Sequence, residues 1–373
     1  MSQPSSRRVR VLVVDDSALV RKSISDCLAA DPGIEVVGTA CDPYVARDKI
    51  LRLTPDVITL DMEMPRMDGL TFLRILMRHH PLPVVVVSSL TQAGSQLAFD
   101  ALEAGAVDVL AKPDGAMSIG ALSARLAYHV KAAAASSRFP AARPAGGLPL
   151  DEPRPSPAAA PQTAPRPPRP RLAAAAASDP RQLVVIGGST GGIEALRTIL
   201  AQFPADLPPI AIVQHISAYF SQIVAQRLAS LTAFDVREAE DGMPLDRGSC
   251  VMAPGDRHLA VVRQGGGYRV RLLSTPPVHH CRPAVDVLFR SAAEAAGPFT
   301  VAALLTGMGS DGALGLEAVR KAGGRTIAEH ESSCVVYGMP RAAIERGAAE
   351  QVVPLSRMAD TIVRAVSVPP AAP

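Results

Sequence analysis

Short apolar runs alternate with helical periodicities along most of this chain. Runs at 9–14, 34–39, 57–60, 84–87 and 107–110 have the length and the Val/Ile/Leu content of buried strands. Between the first two, Val20, Ile24, Cys27 and Leu28 recur at helical offsets on one face, and segments from Val45, Gly69 and Gln96 repeat the pattern. Strand–helix alternation predicts a parallel sheet with right-handed crossovers, here a five-stranded sheet of flavodoxin-like order. The alternation resumes with strands at 183–187, 210–214, 300–305 and 326–328. A middle section at 250–253, 259–263 and 268–273 alternates apolar and polar positions. It predicts a small antiparallel excursion around Gln264, Gly265, Gly266 and Gly267. The two halves are different α/β domains.

Between about 133 and 180 the pattern breaks into Pro, Ala and Arg, a composition that builds no core and favours extended chain. This predicts a domain at 1–132, a linker at 133–180 and a second domain at 181–373. The 373 residues suffice for two domains. With 3% aromatic residues and no Trp, both cores must come from Val, Leu, Ile and Ala. A formal charge of +3 gives no electrostatic case for nucleic acid, and no basic run lies on a periodic helix. Five scattered cysteines without a CxxC pair fit a reduced compartment. No signal-peptide core or membrane span is visible, so the expectation is a soluble, cytoplasmic protein without membrane insertion.

In open α/β sheets ligands bind beyond the carboxyl ends of the strands. Those ends carry Asp15, Asp16, Asp61, Ser88 and Lys112 in the first half. Converging carboxylates repel unless a hard cation joins them, and an all-oxygen set suits Mg²⁺. Asp61, at the end of the central run, is the natural nucleophile, since carboxylates form aspartyl-phosphates. A lysine and a hydroxyl nearby would stabilise a transferring phosphoryl group. Taken singly, each is equally a loop residue or a cap, and Asp16 could simply cap the helix from Ser17.

In the second half, Gly187-Gly188-Ser189-Thr190-Gly191-Gly192 follows a strand and precedes a helical pattern. It lacks the G-x-G-x-x-G of a dinucleotide site and the lysine of a P-loop. The remaining match is G-x-S-x-G, a serine on a sharp strand-to-helix turn near a helix N-terminus. Of eight histidines, His215 ends the 210–214 strand on the same sheet edge as Ser189. His258 and His330 are possible bases better read as surface residues, and His279, His280 and Cys281 share a Pro-rich loop without metal-ligand spacing. A carboxylate should orient the imidazole. Asp311, in a strand-end loop, is one choice; Asp241, Asp256 and Asp286 are rivals that spacing leaves open.

VLVVDDS, LDMEMPRMDG, VVSS and AKP resemble the signature of response-regulator receiver domains over roughly 9–130. That resemblance implies phosphorylation of Asp61, a Mg²⁺ pocket including Asp15 and Asp16, a switch hydroxyl on Ser88 and a phosphate contact from Lys112, followed by Pro113. GGSTGG, Gln214-His215, APGDRH, RPAVDVLF, LLTGMGSDG and SSCVVYGMPRAAI resemble the catalytic domain of the chemotaxis protein-glutamate methylesterase family, CheB, over roughly 181–366. This implies Ser189 as nucleophile, His215 as base, Asp311 as its orienting acid and the backbone N–H of Met308 in the oxyanion hole. It also implies a doubly wound, largely parallel sheet with a small antiparallel hairpin, and no cofactor for the hydrolase. The implied partners are methyl-accepting chemoreceptors as substrate and a histidine kinase as phosphodonor. The receiver would shield the hydrolase until phosphorylated. A transcription factor would need a helix-turn-helix after the linker, and none is visible. A scaffold with a dead hydrolase is the other alternative, which the intact Ser189, His215 and Asp311 oppose.

Overall fold

The computed structural model describes residues 7–89, 92–112, 119–136, 139, 148 and 179–368. Most of the stretch expected as a linker, and Pro113, lie outside the described residues. The chain divides into two compact units, Met1–Pro161 and Gln162–Pro373.

The first unit is built on strands β1 (Val9–Val14), β2 (Ile34–Ala40), β3 (Val57–Leu60), β4 (Val84–Ser88) and β5 (Asp108–Ala111). Their order is β2-β1-β3-β4-β5, all parallel, as the alternation predicted. Helices α1 (Ala18–Ala29), α2 (Pro43–Leu53), α3 (Gly69–His79), α4 (Gln92–Glu103) and α5 (Ile119–Ala134) connect or follow the strands. Local chemistry sets the starts of three of them. Ser17, Asp42 and Asp68 accept hydrogen bonds from the first-turn N–H groups of α1, α2 and α3, and Pro43 takes a position where no N–H is needed. Ser17, not Asp16, is therefore the cap of α1. All four residues of β3 are buried, so the central strand reads as one apolar run, not an alternation.

The second unit carries β6 (Leu183–Gly188), β7 (Ile210–Gln214), β8 (Asp235–Glu238), β9 (Pro244–Leu245), β10 (Ser249–Met252), β11 (His258–Gln264), β12 (Gly267–Leu273), β13 (Thr300–Leu304), β14 (Arg325–Glu329) and β15 (Gln351–Val353). Helices α6 (Gly192–Leu200), α7 (Ala218–Leu231), α8 (Val285–Ala296), α9 (Ala313–Lys321), α10 (Met339–Glu345) and α11 (Leu355–Ser367) complete it. Seven strands form a parallel sheet in the order β15-β14-β13-β6-β7-β10-β8, and β11-β12-β9 form a separate antiparallel sheet. One expectation needs correcting. Residues 250–253 do not join the antiparallel excursion; β10 lies between β7 and β8 in parallel. Its last three residues are all buried, the mark of an inner parallel strand, and reading it together with its alternating neighbours hid that.

As the composition required, the core is Val, Leu, Ile and Ala, with Phe72, Phe203 and Phe289 as the largest fully buried side chains. The order of the seven strands matters most for chemistry. The chain runs from β6 to β7 on one side, while β13 pairs on the other, so β6 sits at a switch point where a crevice opens beyond the strand ends.

Candidate active site

Three neighbouring strand ends supply the three residues. Ser189 follows β6, His215 follows β7 and the loop after β13 carries Asp311. Hydrogen bonds stitch these ends together beyond the strands: Ser189 N donates to Thr306 O at 3.0 Å and His215 N to Gly188 O at 3.1 Å. Adjacent parallel strands lie about 4.8 Å apart, so residues one step past their ends fall within side-chain reach.

His215 and Asp311 meet directly, with Nε2 and Oδ2 2.7 Å apart and both side chains buried. Asp311 is saturated with donors. Its Oδ2 also accepts from Val285 N at 2.7 Å, and Oδ1 accepts from Asp286 N and Gly312 N, each at 2.9 Å. Burial pushes its carboxyl up, but the imidazole and these N–H groups outweigh burial and hold it below the ordinary carboxylate value. For His215, burial disfavours the cation, yet the Cys281 sulfur and the Asp311 carboxylate more than offset this and raise its pKa above the usual imidazole value. The rivals for the acid are engaged elsewhere. Asp241 accepts from Leu272 N at 2.8 Å, Asp256 occupies a left-handed turn position, and Asp286 accepts from Gly315 N at 2.6 Å while facing His279 Nε2 at 3.1 Å.

Ser189 is buried, and its Oγ has no hydrogen-bond partner among the described residues. Its backbone is held firmly: Gln214 Nε2 donates to Ser189 O at 2.7 Å, and Gly192 N donates to the same oxygen at 2.7 Å as α6 begins. The left-handed step of the turn falls on Gly191, at φ +79°, and not on the serine. A Cβ there would lie 2.5 Å from Val335, so only glycine fits. Serine thus sits unstrained at the N-terminal end of α6, where free N–H groups favour negative charge.

Met308 lies in the loop between β13 and α9. That loop is pinned where Gly307 O accepts from Gly338 N at 3.0 Å and Met339 N at 2.8 Å. Glu329, fully buried at the end of β14, braces the same loop by accepting from Thr306 N and Ser333 Oγ, each at 2.9 Å. Burial pushes the Glu329 carboxyl up, against the pull of those donors.

In the first unit Asp15, Asp16 and Asp61 offer carboxylate oxygens within 4.8 Å of one another. Lys112 Nζ lies 2.6 Å from Asp61 Oδ2 and 3.0 Å from Asp15 Oδ2. Burial pushes the Asp61 carboxyl up to about 6, opposed by Lys112 and reinforced by Asp15. Three acids against one lysine leave an excess of negative charge, and the donors are all oxygen, so the residues fit a hard divalent cation. Ser88 is buried at the end of β4, where its carbonyl accepts from Lys112 N at 2.8 Å.

Residues 184–362 match the family described as CheB methylesterase, and residues 11–122 match the response regulator receiver domain. A protein of Anaeromyxobacter dehalogenans (strain 2CP-C), named protein-glutamate methylesterase/protein-glutamine glutaminase 4, is 51% identical over 96% of this chain and 95% of its own length. This chain belongs to the CheB methylesterase family. A second CheB-family relative, from Syntrophotalea carbinolica and named protein-glutamate methylesterase/protein-glutamine glutaminase, is 49% identical over 97% of this chain and 98% of its own. The crystal structure of the Thermotoga maritima CheB methylesterase catalytic domain is 40% identical and covers 49% of this chain and 97% of that one, with a TM-score of 0.48.

Sequence reasoning overlooked several residues around this CheB-type site. His258 is no surface residue: it is fully buried, Nδ1 accepts from Ala284 N and Nε2 faces Pro276 O, both at 3.1 Å, so it holds structure. Cys281, read only as part of a loop, places Sγ 3.5 Å from His215 Nδ1. Glu329 ends a strand on the same sheet edge, the one signal that could have singled it out. No described helix is long and apolar enough to cross a membrane.

Proposed function

We propose that this chain is a protein-glutamate methylesterase and protein-glutamine deamidase acting on chemoreceptors, switched by phosphorylation of its receiver. The observation that carries the catalytic part is the buried His215–Asp311 pair at the strand ends beside the unpartnered hydroxyl of Ser189.

Because Asp311 holds Nε2, Nδ1 is the nitrogen that takes the proton from Ser189 Oγ. The oxygen attacks the γ-carbonyl carbon of a receptor glutamate methyl ester. Negative charge develops on the carbonyl oxygen, facing the N-terminus of α6 and the backbone N–H of Met308. As the tetrahedral intermediate collapses, the imidazolium returns its proton to the departing oxygen and methanol leaves. Water then repeats the sequence on the acyl-serine, freeing glutamate and restoring Ser189. With a glutamine side chain the leaving group is ammonia and every other step is the same.

In the receiver, Asp61 is the phosphoryl acceptor, with Lys112 placed to meet the transferred oxygens and Ser88 to sense them. Asp15, Asp16 and Asp61 would hold Mg²⁺, which when bound neutralises carboxylate and phosphoryl oxygens. A histidine kinase is the phosphodonor in this reading, and a cytoplasmic location follows from such partners. The test is methanol release from methylated receptor. Ser189→Ala should lower the rate by about 10³-fold or more. Release near the parent rate would remove Ser189 as nucleophile.

A further inference from the structure

His215 has two ring nitrogens and only one goes to Asp311. The other, Nδ1, lies 3.5 Å from Cys281 Sγ. The hydroxyl expected to use that nitrogen, Ser189 Oγ, is buried and makes no hydrogen bond among the described residues. In this arrangement the thiol occupies the position from which a proton passes to the imidazole.

The placement of Cys281 is built into the fold. Val278 N donates to Cys281 O at 3.0 Å and Cys281 N to Val278 O at 2.8 Å, closing a two-residue turn on His279 and His280. Both turn residues have positive φ, +50° and +63°, a conformation normally left to Asn and Gly. His279 is tied down in turn, with Nε2 3.1 Å from Asp286 Oδ2. Cys281 is partly exposed, whereas Cys27, Cys250 and Cys334 are buried, with thiol pKa values pushed up by that burial. Cys41 is exposed, but its neighbour is the Asp42 carboxylate, 3.6 Å away. Cys281 therefore combines access with an adjacent base, and none of the other four does.

We propose that Cys281 is a reactive active-site thiol, activated by the His215–Asp311 pair, whose covalent modification takes the base out of service and shuts the esterase off. The loss of activity rests on the Ser189 mechanism above; the reactivity of the thiol does not. With hydrogen peroxide, the thiol proton passes to His215 Nδ1 and the sulfur attacks one peroxide oxygen. An S–O bond forms and the O–O bond breaks. The departing hydroxide recovers the proton and leaves as water. Sulfur is oxidised by two electrons to the sulfenic acid and the peroxide is reduced. An alkylating agent such as iodoacetamide reacts at the same sulfur with loss of iodide. Either adduct lies against Nδ1 and blocks proton transfer from Ser189.

The test treats the full-length protein with iodoacetamide at pH 7, maps labelled cysteines by mass and follows methanol release in parallel. An ordinary exposed thiol is only about 3% thiolate at that pH, which sets a slow reference rate. We expect Cys281 to be labelled about ten-fold faster than Cys41, with activity falling in step. Cys281→Ser, compared with its own untreated rate, should be insensitive to the reagent and to peroxide. His215→Gln should slow Cys281 labelling to the pace of Cys41. Equal labelling of Cys281 and Cys41 in the parent overturns the proposal without recourse to any variant, as does inactivation of Cys281→Ser at the parent rate. Ser189→Ala separates the two readings: it should label at Cys281 as the parent does. Retained esterase activity in that variant would count against the serine alone.

Discussion

At the scale of single residues, Asp311 is an acceptor on every side. Two backbone N–H groups point at Oδ1, and a third shares Oδ2 with the imidazole. Asparagine keeps the shape but turns an NH₂ towards at least one donor. Asp311→Asn should therefore cost about 10³–10⁴-fold in kcat by spoiling the tautomer of His215. The same carboxylate helps hold the His215 pKa above the ordinary value near 6.5, and the base works only when neutral. Methanol release should thus rise with pH to an inflection above 6.5, and the residual activity of Asp311→Asn should show that inflection at lower pH. An inflection unmoved by the substitution would mean that another group titrates. Asp61 gives the opposite lever. Its carboxyl, raised to about 6 by burial, binds a proton where a cation must bind. Mg²⁺ affinity measured by calorimetry should be level above pH 7 and fall about ten-fold per unit below pH 6, as the proton competes. Affinity independent of pH between 5 and 7 would remove Asp61 from the ligand set.

Elements, in turn, position these groups through backbone contacts. The step from β3 into α3 shows how tightly. A Cβ on Gly69 would lie 2.0 Å from Asp61 O, so Gly69→Ala must push the loop after Asp61 away. We expect a receiver destabilised by about 1–3 kcal/mol and a loss of stimulation by phosphodonor, with unstimulated methanol release still measurable. Normal stimulation in this variant would show that the loop tolerates the shift. Such contacts explain what could be read in advance. The inner strands β1, β3, β4, β6, β7 and β13 were legible because burial on both faces leaves unbroken apolar runs. The edge strands β8 and β15, DVRE and QVV, were not: each is four residues or fewer, too short to show a period, and pairing alone defines them. Ser189 and His215 could be singled out because each follows such a run, whereas spacing left Asp311 open among rivals and only the family resemblance chose it. Cys281 and Glu329 were not singled out, since one reaches its partner through a turn of positive φ and the other pairs with a loop 23 residues earlier in the chain.

For the whole molecule, the question is how a phosphoryl group in one unit governs a serine in the other. Each unit has its own buried core, so the catalytic unit beginning at Asp179 should fold when made alone. If the unphosphorylated receiver shields the active site, a coupling of about 1–3 kcal/mol corresponds to a rate change of about 5–150-fold. The chain between Leu148, which packs in the first unit's core, and Asp179 bears on that number. Its 30 residues, 149–178, are Pro-rich and would span about 90 Å at ~3.1 Å per residue, which dilutes one unit at the other. Shielding should therefore sit at the weak end, with the isolated catalytic unit about 5–10-fold faster than the unphosphorylated full chain. Deleting residues 157–171 shortens that tether from 30 residues to 15. With effective concentration falling as about the −3/2 power of length, the deletion should deepen inhibition about three-fold. The phosphorylated rate should stay where it was, because the tether alters only the association of the two units. Methanol release with and without phosphodonor, on the three chains side by side, reads all of this. Equal unphosphorylated rates for the full chain and the isolated unit would end the shielding argument. A deletion that slowed both states alike would instead mean that residues 157–171 serve catalysis and not distance.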